Sequence, residues 1–129
     1  MVVGESTTVS LFRVVTAALG LRPGRPVIVT ERENFPTDLY ILEGLKGLRP
    51  EIEIRHVADG EDPASLLDGA AVLLLTHVDY KTGRIQDMAK LSAAAHAAGA
   101  LAIWDLSHSA GVLELDLPGS GADFAVGCG

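Results

Sequence analysis

Two uninterrupted apolar runs limit what this chain can fold into. Residues 70–76 read Ala-Ala-Val-Leu-Leu-Leu-Thr, and residues 100–104 read Ala-Leu-Ala-Ile-Trp. Each follows a glycine and gives way to polar residues. Apolar runs of that length, bounded by turn residues, read as buried strands. Strands without polar alternation are covered on both faces, the habit of parallel sheets between helical layers. The second run ends abruptly on Asp105. A carboxylate at the end of a buried strand is costly unless its charge is compensated. In an open α/β sheet, the carboxyl ends of the strands border the ligand crevice.

Helical patterns separate the strands. Residues 7–19 carry Val9, Phe12, Val15 and Leu19 at helical spacing behind the hydroxyls of Ser6, Thr7 and Thr8, which suit an N-cap. Gly20 and Pro23-Gly24 stop that helix, and residues 26–30 form a short buried strand. Asn34-Phe-Pro-Thr-Asp38 opens a second helix, with Pro36 in its first turn. Ile41, Leu42, Leu45 and Leu48 are its expected inner face. Residues 51–57 alternate polar and apolar, as a more exposed strand does. Residues 59–68 read as a loop with room for one helical turn, and residues 77–84 as a polar loop. Residues 86–98 form a third helix, with Met88, Leu91, Ala95 and Ala98 on one face, Gly99 as its stop and His96 on its surface. Residues 123–126 are a candidate last strand. This alternation predicts the α/β class: a mostly parallel sheet with helices on both faces.

The 129 residues suffice for one domain and one core. A helix cap begins almost at Met1 and the last strand runs into Gly127-Cys128-Gly129, so the chain reads as part of a larger domain. The formal net charge of -7 comes with no basic stripe, which excludes nucleic acid as a partner. Cys128 is the sole cysteine, so no intrachain disulfide forms and a reducing compartment is expected. No basic, apolar leader opens the chain and no apolar stretch reaches membrane-spanning length. A cytoplasmic protein without membrane contact is therefore expected.

Three segments fall where strands end or helices begin. Ser6-Thr7-Thr8 is either a plain cap or an anion site built on a helix N-terminus. Phe35 is either a hydrophobic staple on its helix or a flat face for a planar ligand, and Asp38 favours the helix start in either case. Asp105 either caps the following turn, with His108 incidental, or pairs with a bound cation. No phosphate-binding P-loop, dinucleotide glycine pattern or nucleophile elbow occurs. His56, His77, His96 and Cys128 lack metal-ligand spacing, so no metal is expected. A planar, phosphorylated, electron-withdrawing cofactor would use all three segments at once, and pyridoxal 5'-phosphate has those properties. Its phosphate suits a helix N-terminus and its ring an aromatic cover. Its ring nitrogen stays protonated beside an ionised carboxylate.

Five stretches carry a family resemblance: Gly4-Glu-Ser-Thr-Thr-Val-Ser-Leu-Phe12, Asn34-Phe-Pro-Thr-Asp38, Leu75-Thr-His-Val-Asp-Tyr-Lys-Thr-Gly83, Trp104-Asp-Leu-Ser-His-Ser-Ala-Gly111 and Gly121-Ala-Asp-Phe-Ala-Val-Gly-Cys128. In order and spacing they resemble the kynureninase family, fold-type-I pyridoxal-phosphate enzymes of tryptophan catabolism. The resemblance implies hydrolytic cleavage of the Cβ–Cγ bond of L-kynurenine, or of 3-hydroxykynurenine, with anthranilate and L-alanine as the products of the former. It implies that Thr7 and Thr8 bind the phosphate, Phe35 stacks on the ring and Asp38 belongs to the same cofactor motif. Thr76 then lies near the cofactor, Asp105 faces the ring nitrogen and His108 stands beside it. It also implies a homodimer. Cysteine desulfurases usually carry Gln where His108 stands, whereas isopenicillin-N-epimerase-like relatives share the Asp-to-His spacing. A desulfurase, another class-V aminotransferase and a non-catalytic α/β anion-binding module remain the alternatives. The family's cofactor-bearing lysine lies just past the Gly-Cys stretch, and its small domain follows. Lys81 and Lys90 do not occupy that motif position. The 129 residues alone are therefore expected to be inactive.

Overall fold

The computed structural model describes residues 7–31, 36–58, 61–76, 87–106 and 121–126, with side chains from Leu11 in the first helix and from Leu39 in the second. Helix α1 (Thr7–Leu21) leads into strand β1 (Val27–Glu31), then α2 (Pro36–Leu48) and β2 (Glu53–Val57). A single 3-10 turn, Pro63–Leu66, precedes β3 (Val72–Thr76), α3 (Met88–Ala97), β4 (Leu101–Asp105) and β5 (Phe124–Val126). Every strand expected from the sequence is present, and the loop at 59–68 uses its room for the 3-10 turn. His77, Lys81 and Cys128 lie outside the described residues.

The strands form one parallel sheet in the order β2-β1-β3-β4-β5. The chain runs outward from β1 to β2, then crosses back to β3 and continues through β4 to β5. The order therefore reverses between β1 and β3, which makes that boundary the topological switch point. Strands β3 and β4 are buried along their whole length, as their unbroken apolar sequence requires.

Side chains alternate between two cores. On one face, Leu11, Val15 and Ala18 of α1 and Leu42 and Leu45 of α2 pack on Ile28, Val72, Leu74 and Ile103. On the other, Met88, Leu91 and Ala95 of α3 cover Val29, Leu73, Leu75, Ala102 and Trp104. Two residues of the helical apolar spacing turn outward, Leu48 against its expected place on the inner face. Phe12 is 39% exposed because the buried stripe of α1 runs through Leu11, Val15, Ala18 and Leu19, and a step of one residue rotates Phe12 off it. Leu48 is 74% exposed because Leu42 and Leu45 define the inner stripe of α2, which a further turn carries Leu48 past.

The short connection from α1 to β1 makes α1 run antiparallel to the strands. Its N-terminus therefore lies at their carboxyl edge, as do the N-termini of α2 and α3, which follow β1 and β3. Asp87 caps α3 by accepting the Lys90 N–H at 3.1 Å. At the opposite edge, Arg22 Nε donates to the carbonyl of Gly99 at 3.0 Å, and Arg25 donates to that of Ala98. Two cations thus meet the carbonyl end of α3, where its dipole is negative. Gly99 takes φ 85° under the Arg25 guanidinium, a left-handed conformation that stops the helix.

Candidate active site

Strand parity decides what faces the carboxyl edge. Ile28, Leu74 and Ile103 point toward the α1 and α2 layer. Two residues further along the same strands come Thr30, Thr76 and Asp105, which share that face. All three are polar, and all three are buried: 0% exposed for Thr30, 6% for Thr76 and 1% for Asp105. Thr76 pairs with Asp105 in the parallel register, and Asp105 pairs with Val126. A hydroxyl and a carboxylate thus stand side by side where the apolar core stops.

Helix α1 packs over β3, β4 and β5 on this face. Its 15 residues begin at Thr7, above the strand ends that carry Thr76 and Asp105. The first turn of a helix presents unsatisfied N–H groups and a partial positive charge of about half an elementary unit. Thr7 and Thr8 occupy that turn, with their side chains outside the described set. Asp38 is placed in the first turn of α2, which begins at Pro36, and its side chain is likewise outside the description. Phe35 and His108 lie outside the described residues. Of the residues singled out from the sequence, the fold thus assembles Thr7, Thr8, Asp38, Thr76 and Asp105 at one edge. Thr30 was not among them. Its signal was parity, since it follows Ile28 by two in β1, and the neighbouring strand β3 ends on Thr76 on the same face.

A second polar seam holds α3 to the sheet. The Trp104 indole Nε1 donates to Ser92 Oγ at 2.9 Å, and both residues are 0% exposed. One turn along α3, His96 Nε2 meets Asp123 Oδ2 at 2.7 Å, and the same oxygen accepts the Ala102 N–H at 2.7 Å. His96 is therefore a surface residue with a partner, which its place in the sequence did not reveal. Among the described residues, no group of three or more His, Cys, Asp or Glu side chains could hold a metal ion. No helix among them is long and apolar enough to cross a membrane.

Residues 2–129 match the class-V aminotransferase family. This chain belongs to that family. Within the class-V aminotransferases, it is 50% identical over 127 residues to the kynureninase of Deinococcus radiodurans, covering 98% of this chain and 31% of that protein. It is also 50% identical over 134 residues to the kynureninase of Pseudomonas fluorescens, covering 99% and 32% respectively. The chain thus spans about a third of the length of these relatives. Among solved structures, it resembles the apo cysteine desulfurase of Thermococcus onnurineus NA1, with TM-score 0.80 and 26% identity over 94% of this chain and 32% of that one. A cystathione gamma lyase, CalE6 of Micromonospora echinospora, shares the fold at TM-score 0.77 and 20% identity over 95% of this chain and 32% of that one.

Class-V membership implies pyridoxal phosphate, and the described residues fit that group. A carboxylate buried to 1% exposure at the strand ends is electrostatically suited to a protonated ring nitrogen. The N-terminus of α1 on the same face is complementary to a phosphate dianion. Thr76 adds a hydroxyl beside Asp105. No described lysine lies on this face of the carboxyl edge. Lys46 is in the last turn of α2, at the amino edge, and Lys90 is in α3, which covers the other face.

Proposed function

We propose that this chain is part of the large, cofactor-binding domain of a kynureninase, which cleaves L-kynurenine hydrolytically to anthranilate and L-alanine. The observation that carries this reading is Asp105, a buried carboxylate at the carboxyl edge beneath the α1 N-terminus, in a chain half identical to kynureninases. Bound pyridoxal phosphate supplies an electron sink for negative charge that develops at the substrate carbon. Asp105 keeps a proton on the ring nitrogen, because the charged pair is favoured in a site that excludes water. Thr7 and Thr8, with the N–H groups of the first turn of α1, hold the phosphate. Phe35 stacks on the ring, Asp38 belongs to the same cofactor-contacting segment, Thr76 lines the site and His108 stands beside Asp105. The described lysines, Lys46 at the amino edge and Lys90 on the α3 side of the sheet, are not placed to carry the cofactor.

The protein works in the cytoplasm as a homodimer on a small-molecule substrate, L-kynurenine or its 3-hydroxy derivative. Support for self-association comes from Phe12, Leu21, Tyr40 and Leu48, the exposed large apolar side chains among the described residues. All four lie in α1 and α2, in the same helical layer, and apolar side chains exposed in one layer favour association. The test of function is product identity. The full-length protein, loaded with pyridoxal phosphate, is incubated separately with L-kynurenine and with L-cysteine. Anthranilate from kynurenine is the expected result; alanine from cysteine without anthranilate would make the protein a desulfurase.

A further inference from the structure

Ser92 lies on the far face of the sheet from Asp105, in the middle of α3, and has no place in the proposed chemistry. It is nevertheless 0% exposed, in a helix otherwise rich in alanine, and it accepts the Trp104 indole N–H at 2.9 Å. A buried Ser–Trp pair is no better a filler than an apolar pair. Its two polar groups must be desolvated, and their hydrogen bond returns little net stability. What such a pair provides is a single allowed geometry, since either partner left alone in the core is penalised.

That geometry bears on the adjacent residue. Trp104 and Asp105 are consecutive in β4, so their side chains leave opposite faces of one short backbone segment. Any roll of the strand end that swings the carboxylate also swings the indole. The indole is held at its tip by Ser92, and the segment ends just beyond, where the Leu106 N–H donates to the Val126 carbonyl at 2.7 Å. Helix α3 is itself held against β4 one turn later, where Asp123 bridges His96 and the Ala102 N–H. Ser92 therefore acts on a braced lever rather than on a loose end.

We infer that Ser92 is a positioning residue: through Trp104 it sets the direction in which Asp105 presents its carboxylate to the cofactor ring nitrogen. This inference rests on the reading of Asp105 given above. Charge-assisted contacts in dry sites lose much of their worth with displacements of about 1 Å, so a fixed lever has a direct consequence for binding.

The test separates aim from stability. Apo full-length protein is titrated by equilibrium dialysis with pyridoxal phosphate and with its carbocyclic analogue, in which CH replaces the ring nitrogen. Both ligands carry the same phosphate, and only the first can use Asp105. The wild-type protein is expected to prefer pyridoxal phosphate at least tenfold. Ser92→Ala removes the acceptor, and Trp104→Phe removes the donor without leaving an unpaired N–H. Each is expected to shrink that preference to about threefold or less by weakening pyridoxal phosphate, with the analogue changed less than twofold. Equal weakening of both ligands, or an unchanged preference in both variants, would overturn the role of Ser92 alone. A wild-type protein that binds the two ligands equally would overturn the reading of Asp105, and this inference with it.

Discussion

Thr76 and Asp105 are register partners at the carboxyl ends of β3 and β4, and both side chains lie on the α1 side of the sheet. Adjacent parallel strands are about 4.8 Å apart, so the hydroxyl and the carboxylate address the same small volume. Replacing Thr76 with Val keeps the shape and β-branching and removes only the hydroxyl. One hydrogen bond to a charged partner is worth about 1.5 kcal/mol, so pyridoxal phosphate affinity is expected to fall about tenfold, with Thr76→Ser close to wild type. Wild-type affinity in Thr76→Val, measured by dialysis, would place the hydroxyl outside the site.

Phe35→Leu removes a flat face and leaves the charges in place. Stacking contributes to holding the cofactor ring and does not polarise it, so the dissociation constant is expected to rise while kcat at saturating pyridoxal phosphate stays within about threefold. A loss confined to kcat, with unchanged affinity, would show that Phe35 takes part in the chemistry rather than in cofactor retention.

Gly121 takes φ 76°, and a Cβ there would lie 3.3 Å from Ser92 Cβ. Gly121→Ala therefore meets two penalties: a left-handed backbone that disfavours L side chains by about 1–2 kcal/mol, and crowding against the helix that carries Ser92. A lower midpoint in urea, equivalent to a loss of at least about 1 kcal/mol, is expected. An unchanged midpoint would mean that the loop preceding β5 can move away from α3 without penalty.

The described lysines make a prediction for the 129 residues as they stand. Lys46 lies at the amino edge, the opposite end of the strands from Asp105, and Lys90 lies on the α3 side of the sheet. Neither can deliver an amine to a cofactor bound there. Incubation with pyridoxal phosphate and L-kynurenine is expected to release anthranilate no faster than free cofactor does. Turnover abolished by Lys81→Ala or Lys90→Ala would relocate the lysine.

Much of this fold is legible in the sequence because the strands are buried on both faces. Residues 70–76 and 100–104 have one structural solution at their length, and Asp105 stands out as the first charge after an unbroken apolar run. The helix faces are less legible. Phe12 and Leu48 fit helical spacing as well as Leu11 and Ala18 do, and only the placement of the helix on the sheet decides which stripe is covered. The polar ties were invisible for a different reason. Ser92 contacts Trp104 twelve positions away and His96 contacts Asp123 twenty-seven positions away. A serine or histidine in an alanine-rich helix carries no local mark of a distant partner. Thr30 was concealed in a different way: a threonine in a strand needs no explanation until the fold shows that it is buried on the face that carries Thr76 and Asp105, one step below them and level with Leu74.

Whether Asp105 is an electrostatic partner of the cofactor or a cap is decided by kcat of Asp105→Asn at saturating pyridoxal phosphate and L-kynurenine. The substitution is nearly isosteric at the last residue of β4, so the fold is expected to persist, as far-ultraviolet circular dichroism can verify. Loss of one well-placed charge in a water-excluded site raises the barrier by about 3 kcal/mol, which is about a hundredfold in rate. A fall of that size with intact folding is the expected result. Wild-type kcat in Asp105→Asn would rule out that electrostatic role and leave Asp105 a structural cap at the end of a buried strand.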